Sequence, residues 1–431
     1  MLCAALGMVA AAGAQEAPPH WVGTWAAAPQ PPFPGTAEHF TQQTLRLVVH
    51  TSLGGSRVRV RLSNLFGHTP LHITAAHVAR RTGGADIAPA SDRVLRFDGK
   101  TDVVVLPGQT VASDAVALDV PALSDLAISL FADGRADATT VHVLAQQTSY
   151  VARRHGEVTG AARFPAARPL DSWPFVAGVD VDAPADGGAV VVFGDSLVDG
   201  DGTTPDTNRR WPDDLAARLQ HAGASYARLA VLNEGLIGNR LLYASPDRHA
   251  PHLPDFGGTL GEAGLARFER DVLAQPGVKA VIVHLGTNDI AFDGGAGRPG
   301  ETAAPDALVA GYRALIARAH RAGVRVIGST LTPVEGVTIL PGYDTPAKDR
   351  VRQQVNEWIR HGGEFDGLID FDQGLRDPDR PARLLPRLAS PDHLHPNDAG
   401  YAEVADRVPL ALFDGLGGRP APSAPHSPTP P

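Results

Sequence analysis

A chain of 431 residues has room for roughly two to three domains, and 43% hydrophobic and 20% charged residues are typical of globular proteins. This composition excludes wholesale disorder and a multi-span membrane protein. The formal net charge of -9, with no run of Lys and Arg, argues against a nucleic-acid partner, because phosphate binding depends on clustered cations. An uncharged or sparsely charged substrate fits this composition better.

The N-terminal segment, residues 1–14, is predicted to be a secretory signal peptide. It holds an apolar stretch of h-region length, and the small-x-small pattern at residues 12–14 places the cleavage site near Gln15. The stretch is too short to span a bilayer, and the alternative is a short buried helix. We therefore expect a secreted or periplasmic protein that is not integral to the membrane.

The cysteine content restricts the available chemistry. Cys3 is the only cysteine, and it lies inside the predicted signal peptide. The mature chain would then have no disulfide, no thiolate nucleophile and no Cys-zinc site. Stability outside the cytoplasm must come from the hydrophobic core, which a chain of this size can supply.

Residues 20–180 are predicted to form an all-β domain, either a β-sandwich or a jelly roll. Apolar residues alternate strictly at 57–62 and occupy every second position at 45–49, and 53–56 is predicted to join these two strands as a hairpin turn. Turn-forming residues separate further short apolar runs at 71–79, 103–106, 116–120, 126–131 and 141–144.

Residues 187–415 are predicted to form an α/β domain. Continuous apolar runs alternate here with helical segments, which indicates a parallel sheet with crossover helices. The predicted strands are 189–193, 278–285, 324–329 and 368–371. Helical apolar stripes at 308–319 and 351–359 are assigned to core packing. The tail, residues 417–431, is rich in Pro and Ser and is predicted to be disordered.

The first strand of this α/β segment runs directly into Gly194-Asp195-Ser196-Leu197. Ligands bind at the carboxyl ends of strands in open α/β sheets, so Ser196 lies where a reactive group is useful. A Gly-Asp-Ser triplet alone is common in turns, and its position after a buried strand is what favours Ser196 as a nucleophile. Val198 stands where a Gly-x-Ser-x-Gly elbow has its second glycine, which disfavours the α/β-hydrolase elbow.

A nucleophilic serine needs a base, and residues 390–397 supply a candidate before the last helix. Asp392 and His395 are three positions apart, so in a tight turn the carboxylate can accept the proton of one imidazole nitrogen. The other nitrogen is then free to deprotonate a serine. The alternative is a metal site on His393 and His395, but alternate side chains of an extended loop point apart, and no third ligand is evident.

Acyl transfer also needs hydrogen-bond donors for the developing oxyanion. Asn288 follows the predicted strand at 278–285, so its amide can reach the same sheet edge, although this segment also fits an Asx turn. A second donor can be a backbone N–H freed by Gly235 or Gly238 after the strand that ends near Leu232. Both glycines also fit a purely loop-shaping role.

The four loops, in the order Ser196, Gly238, Asn288 and His395, resemble the four sequence blocks of the SGNH (GDSL-type) hydrolase family over residues 187–415. The resemblance implies a flavodoxin-like three-layer α/β domain with a parallel sheet. It also implies that Ser196 is the nucleophile, that Asp392 and His395 complete the catalytic set, and that the Ser196 amide, Gly238 and Asn288 form the oxyanion hole. Residues 21–29, WVGTWAAAP, are similar to the start of a secreted subgroup with an N-terminal β-domain.

These observations predict a secreted serine esterase that works through an acyl-enzyme and needs no cofactor or metal. The expected substrate is a small-molecule or polysaccharide ester with a short acyl group, such as acetyl. The alternatives are a lipase or arylesterase, an acyltransferase of the same fold, and a non-catalytic glycan-binding protein. The β-domain can hold a glycan or serve only as a packing partner.

Overall fold

The computed structural model describes residues 18–165, 167–245, 255–292 and 303–418. An all-β segment, termed the β region (residues 18–182), precedes the α/β region (residues 188–418). The predicted signal peptide lies outside the described residues, as does the predicted disordered tail from 419 onwards. Within the described ranges, no helix has the length and apolar character needed to cross a bilayer.

The β region consists of short strands separated by turns, together with one 3₁₀ turn at Pro89–Ser91. The strands are β1 (Trp21–Ala26), β2 (His39–Thr41), β3 (Thr44–Thr51), β4 (Gly55–Ser63), β5 (Leu71–Ile73), β6 (Ala75–Gly83), β7 (Asp86–Ile87), β8 (Arg93–Val94), β9 (Val103–Val105), β10 (Thr110–Ala112), β11 (Val116–Val120), β12 (Ser124–Phe131), β13 (Arg135–Asp137), β14 (Val141–His142), β15 (Ser149–Ala152), β16 (Ala167–Leu170), β17 (Trp173–Pro174) and β18 (Val176–Asp182).

Most of these strands form two antiparallel sheets that share one core. The first has the order β1-β18-β4-β10, with β11 also paired to β4, and the second has the order β16-β15-β3-β12-β6-β7, with β8 paired to β6. In β4, Val58, Val60 and Leu62 are buried, whereas the arginines between them are partly exposed. This alternation confirms the strand predicted at 57–62. The jelly-roll connectivity stays a prediction.

The predicted hairpin between β3 and β4 is wrong, because β3 pairs with β12 and β15 whereas β4 pairs with β10, β11 and β18. The link between them passes from one sheet to the other. Ser52 Oγ donates to Thr24 O (2.7 Å), and the Leu53 N–H donates to Thr24 Oγ1 (2.9 Å). A Cβ at Gly54 would lie 2.6 Å from Val120 O, so this glycine permits close packing and does not form a hairpin turn.

The α/β region contains a five-stranded parallel sheet. Its strands are β19 (Gly188–Gly194), β20 (Leu229–Glu234), β21 (Val278–His284), β22 (Arg325–Ser329) and β23 (Gly367–Ile369). They lie in the order β20-β19-β21-β22-β23, which is the 2-1-3-4-5 order of flavodoxin-like sheets. Their helices are α1 (Ser196–Asp199), α2 (Trp211–His221), α3 (Gly264–Phe268), α4 (Thr287–Ala291), α5 (Pro305–Arg321), α6 (Pro346–His361), α7 (Phe371–Leu375) and α8 (Asp398–Asp406).

Helices cover both faces of this sheet. Phe193 of β19 shares a hydrophobic cluster with residues of α3, α5 and α6, whereas Val192 shares another with residues of α2 and α8. Successive strand residues point to opposite faces, so both faces are buried and the strands are continuously apolar. The apolar stripe predicted at 308–319 is confirmed as the buried face of α5. A π-helical turn at Glu269–Leu273 continues α3, and 3₁₀ turns lie at Tyr226–Arg228, Pro386–Leu388 and Leu410–Phe413.

The first strand joins the two regions. Strand β1 pairs with β18 and also contacts β20 of the parallel sheet. The Gly23 N–H donates to Pro276 O (2.9 Å), and a Cβ at Gly23 would lie 2.8 Å from Leu232 Cδ1. Val22 belongs to the same hydrophobic cluster as Phe193, so one continuous core runs through both regions.

A buried arginine ties together the ends of two parallel strands. Arg267 Nη2 donates to Gly194 O (2.8 Å) and Nη1 to Glu234 O (3.0 Å), which are the last residues of β19 and β20. Its Nε donates to Asn239 Oδ1 (3.0 Å), and Nη1 also contacts Asp271 Oδ2 (3.1 Å). The Arg267 side chain is fully buried. These contacts fix the edge of the sheet from which the neighbouring loops emerge.

Arg267→Met should lower the free energy of unfolding by about 3–5 kcal/mol, the usual cost of breaking a buried ion pair. The change removes the Arg267 donor from the carbonyl groups of Gly194 and Glu234 and removes one partner of Asp271, although Gly194 O keeps the Leu236 N–H (3.2 Å). Urea denaturation measures the difference. Arg313→Met is the control, because Arg313 pairs with Glu364 at the surface and should contribute little. Equal midpoints for the two variants would contradict this account.

Candidate active site

Ser196 begins α1 directly after strand β19. Asp195 is the N-cap of this helix, and its Oδ1 accepts the Leu197 N–H (3.1 Å). A Cβ at Gly194 would collide with the Val198 side chain, so a glycine is needed where the strand turns into the helix. The Gly-Asp-Ser-Leu sequence therefore builds the turn that presents Ser196 at the carboxyl end of the strand.

The structure brings Ser196 together with the predicted base and its acid. Ser196 Oγ lies 2.8 Å from His395 Nε2, and His395 Nδ1 lies 2.6 Å from Asp392 Oδ2. Asp392 Oδ1 accepts the backbone N–H groups of Leu394 (2.9 Å) and His395 (3.0 Å). Because the carboxylate accepts from Nδ1, the other ring nitrogen is left to accept the serine proton.

Neighbouring carboxylates control the charge of the imidazole. Burial lowers the pKa of His395, but the hydrogen bond to Asp392 and the negative charge of Asp201 outweigh burial and hold this pKa above its ordinary value. Burial would raise the pKa of Asp392, but the hydrogen bond with His395 outweighs it and holds the pKa well below the usual range. The site therefore stabilises an imidazolium–carboxylate pair.

The structure distinguishes the two candidate glycines of the oxyanion loop. The Gly235 N–H already donates to Asn233 Oδ1 (2.9 Å), and a Cβ there would collide with the backbone of Asp199. Gly238 lines the same cavity as Ser196, with φ of +65°, a conformation that favours glycine. Among the described residues, none accepts the Gly238 N–H. Of the two glycines, Gly238 is therefore the one whose N–H is available to bind an oxyanion.

Asn288 lies in α4 after strand β21, and its side chain is held on three sides. Its Nδ2 donates to Asn239 O (3.1 Å) and Asp195 Oδ2 (3.3 Å), and its Oδ1 accepts from Tyr343 Oη (2.9 Å). Tyr343 therefore fixes which end of the amide faces Asp195, the neighbour of Ser196. An oxyanion at Ser196 would compete with Asp195 for this N–H. Burial raises the pKa of Asp195 to about 7.

A cavity of about 240 Å³ opens onto Ser196 and His395. Its polar lining also includes Asp201 and Asn288. The remaining lining residues are mostly apolar: Phe33, Ile237, Gly238, Phe256, Leu260, Phe292, Ile339, Leu340, Tyr343 and Leu394. Phe33 belongs to the β region, so both regions contribute to this cavity.

A buried histidine of the β region supports the catalytic loops, and the sequence analysis missed it. His142 Nε2 lies 2.9 Å from Asp199 Oδ1, and Nδ1 lies 3.0 Å from Ala28 O. Asp199 Oδ2 in turn accepts the Ile237 N–H (3.1 Å), next to Gly238. Burial lowers the pKa of His142, but the charge of Asp199 outweighs it and raises this pKa. No local sequence pattern indicates this contact, because 57 residues separate the partners.

The described part of the chain offers no further ligands for the alternative metal site on His393 and His395. His393 is exposed, whereas His395 is buried against Ser196. Within the described ranges, no group of three or more His, Cys, Asp or Glu side chains is arranged to hold a metal ion. His395 instead has its two nitrogens directed at Ser196 and Asp392.

Residues 192–403 match the model of the GDSL-like lipase/acylhydrolase family, a range that includes Ser196 and His395.

An acetylxylan esterase from Geobacillus stearothermophilus is a similar solved structure, with 20% identity over 55% of this chain and 99% of that chain and a TM-score of 0.37. An aryl esterase from M. smegmatis has 16% identity over 51% and 94%, with a TM-score of 0.35. A GDSL-like lipase from Bacteroides thetaiotaomicron has 16% identity over 53% and 88%, with a TM-score of 0.33. A search of curated proteins finds no match.

If neutral His395 acts as the predicted base, the dependence of kcat/KM on pH should show an acid limb above pH ~6.5, the ordinary imidazole pKa, because the pKa of His395 is raised. Asp392→Asn removes the carboxylate, so this limb should move to lower pH and the rate should fall roughly 10²–10⁴-fold. Ester hydrolysis measured from pH 5 to 9 checks both. An unmoved limb in the variant would show that Asp392 does not set the pKa of His395.

Asn288→Ala should lower kcat roughly a hundredfold or more, the usual cost of losing one oxyanion donor. KM should change little, because the donor acts chiefly on the transition state. Steady-state kinetics with a soluble ester measures both constants, and the thermal midpoint reports whether the variant still folds. Near-normal turnover in a folded variant would remove Asn288 from the oxyanion hole.

Proposed function

Because residues 192–403 form a domain of the GDSL-like lipase/acylhydrolase family and the chain is an ester-hydrolysing enzyme, we propose that it acts through an acyl-enzyme on Ser196. The observation that carries this proposal is the 2.8 Å contact between Ser196 Oγ and His395 Nε2. Asp392 behind the imidazole supports it, since the carboxylate orients the ring and stabilises its charged form.

In the proposed reaction, His395 takes the proton of Ser196 Oγ as this oxygen attacks the ester carbonyl carbon. The amides of Ser196 and Gly238 and the side chain of Asn288 stabilise the oxyanion of the tetrahedral intermediate. The imidazolium of His395 then protonates the leaving alcohol. Water, deprotonated by His395, then attacks the acyl-enzyme, and the imidazolium returns this proton to Ser196 Oγ as the acid is released. Asp392 holds the imidazole throughout and stays ionised.

We propose a short, uncharged acyl group for the substrate. The cavity at Ser196 measures about 240 Å³, and its described lining is mostly apolar and contains no Lys or Arg. Such a lining favours an aliphatic or aryl acyl group over a charged one. A polysaccharide as the alcohol component remains the prediction from the sequence, and acetylated polysaccharide therefore belongs in the test.

We also propose that the enzyme acts outside the cytoplasm, as a secreted or periplasmic protein. The support is the signal-like segment at residues 1–14 and the absence of cysteine after Cys3. Signal cleavage near Gln15 would be detected by N-terminal sequencing of the exported protein.

Purified protein should hydrolyse p-nitrophenyl acetate, butyrate or octanoate, and Ser196→Ala should lower kcat by roughly 10⁴-fold or more. His395→Ala should cause a similar loss, because the nucleophile and base act as a unit. Ser172→Ala is the matched control, because Ser172 is a partly exposed serine outside the cavity at Ser196. Removing its hydroxyl group should leave turnover unchanged.

Products formed with added glycan acceptors would separate hydrolysis from acyl transfer. An inactive wild type on every ester, acetylated polysaccharide included, would refute the esterase proposal and favour glycan binding.

A further inference from the structure

A loop of the β region, residues 30–36, is docked on the α/β region. Gln30 is fully buried, and its Nε2 donates to Thr259 O (2.5 Å). Its backbone forms a two-way bridge with Val141, with N–O distances of 2.8 and 3.0 Å, and its Oε1 accepts the Val143 N–H (3.3 Å). Gln30 therefore fixes the start of this loop against both regions.

The following residues hold the loop in one conformation. Pro31, Pro32 and Pro34 flank Phe33, and each proline ring restricts the backbone. A Cβ at Gly257 would lie 2.8 Å from Pro34 Cγ, and a Cβ at Gly258 would lie 3.1 Å from Pro31 Cγ. The prolines thus pack on a glycine pair of the segment that also contributes Phe256 and Leu260 to the catalytic cavity. The loop presents Phe33 with little freedom to move.

Phe33 lines a cavity of about 480 Å³ that it shares with Phe66, and it also stands between two further cavities. One is the catalytic cavity of about 240 Å³ that contains Ser196. The other measures about 370 Å³ and, apart from Ile237, is lined by residues of the β region. In the described lining, only Phe33 and Ile237 face both cavities. The Ile237 N–H donates a hydrogen bond to Asp199 and so supports the loop with Gly238. Phe33 has no such role, and it can be changed without disturbing that loop.

We propose that Phe33 determines acyl-chain specificity by closing the catalytic cavity against the second cavity. The proposal rests on the esterase function proposed above. The phenyl ring limits the space for an acyl chain held on Ser196, and the β region thereby sets the upper length of the substrate. The lining of the second cavity holds Glu38 and Asp171 but also a set of apolar side chains that can receive the far end of an aliphatic chain once the ring is removed: Val141, Val143, Leu144 and Leu170.

The test compares Phe33→Ala, Phe33→Trp and wild type on p-nitrophenyl esters of two to twelve carbons. Phe33→Ala should raise the ratio of kcat/KM for the dodecanoate to that for the butyrate by on the order of tenfold or more. Phe33→Trp should lower the same ratio. The acetate is the short reference substrate in both variants, because a two-carbon acyl group makes the least demand on the space that the ring limits.

Phe66→Ala is the matched control. Phe66 is a partly buried phenylalanine of the β region that lines a cavity beside Phe33 but not the catalytic one, so its loss should leave the chain-length profile unchanged. Phe33→Leu serves as a second variant if Phe33→Ala does not fold, and a smaller rise of the ratio is expected.

An unchanged profile in folded Phe33 variants would overturn the proposal while leaving the esterase function intact. A uniform loss on all chain lengths, or an equal shift in Phe66→Ala, would overturn it as well. A wild type without activity on any ester would instead be a failure of the proposed function.

Discussion

The placement of the loops with Ser196 and Gly238 depends on the hydrogen bonds of one buried guanidinium group, that of Arg267. A cation with no access to water must have acceptors around it, and two of them are the terminal carbonyl groups of β19 and β20, Gly194 and Glu234. Ser196 follows the first of these strands, and the loop with Gly238 follows the second. The chemistry at the sheet edge is therefore positioned by a charge buried beneath it.

The β region is a structural part of the site and not an appendage. It shares a continuous core with the parallel sheet, and His142 of this region reaches Asp199 at the end of α1. Asp199 also accepts the Ile237 N–H, so one carboxylate links the helix that begins at Ser196 to the loop with Gly238 and to the β region. Phe33 of the same region lines the catalytic cavity. Contacts from both regions therefore hold the residues around Ser196 in place.

Local patterns in the sequence predicted the parallel strands and the candidate site residues that follow them. Continuous apolar runs located the parallel strands, and the chain after each run supplied Ser196, Asn288 and the Asp392–His395 pair. Alternation indicated which side of β4 is buried, whereas β3 is buried on both faces, with Arg46 and Val48 as inaccessible as Leu47. Alternation carries no information on the pairing partner, and so the predicted hairpin was wrong. The contact of His142 with Asp199 has no local signature. Local sequence does not separate Gly235 from Gly238, whereas in the structure the Gly235 N–H is already used and Gly238 lines the cavity at Ser196.

The carboxylates around the site affect both the charge of the His395 imidazole and the stability of an oxyanion at Ser196. Asp392 and Asp201 lie near His395 and favour its protonated form, which stabilises the ion pair of the tetrahedral stage. The same negative charges would oppose an oxyanion beside Ser196. Burial raises the pKa of Asp195 to about 7, so this carboxyl, which adjoins Ser196, carries only part of a negative charge near neutral pH. Burial thus reduces the repulsion that the oxyanion would meet, while Asp392 at a more exposed position stays ionised to hold the base.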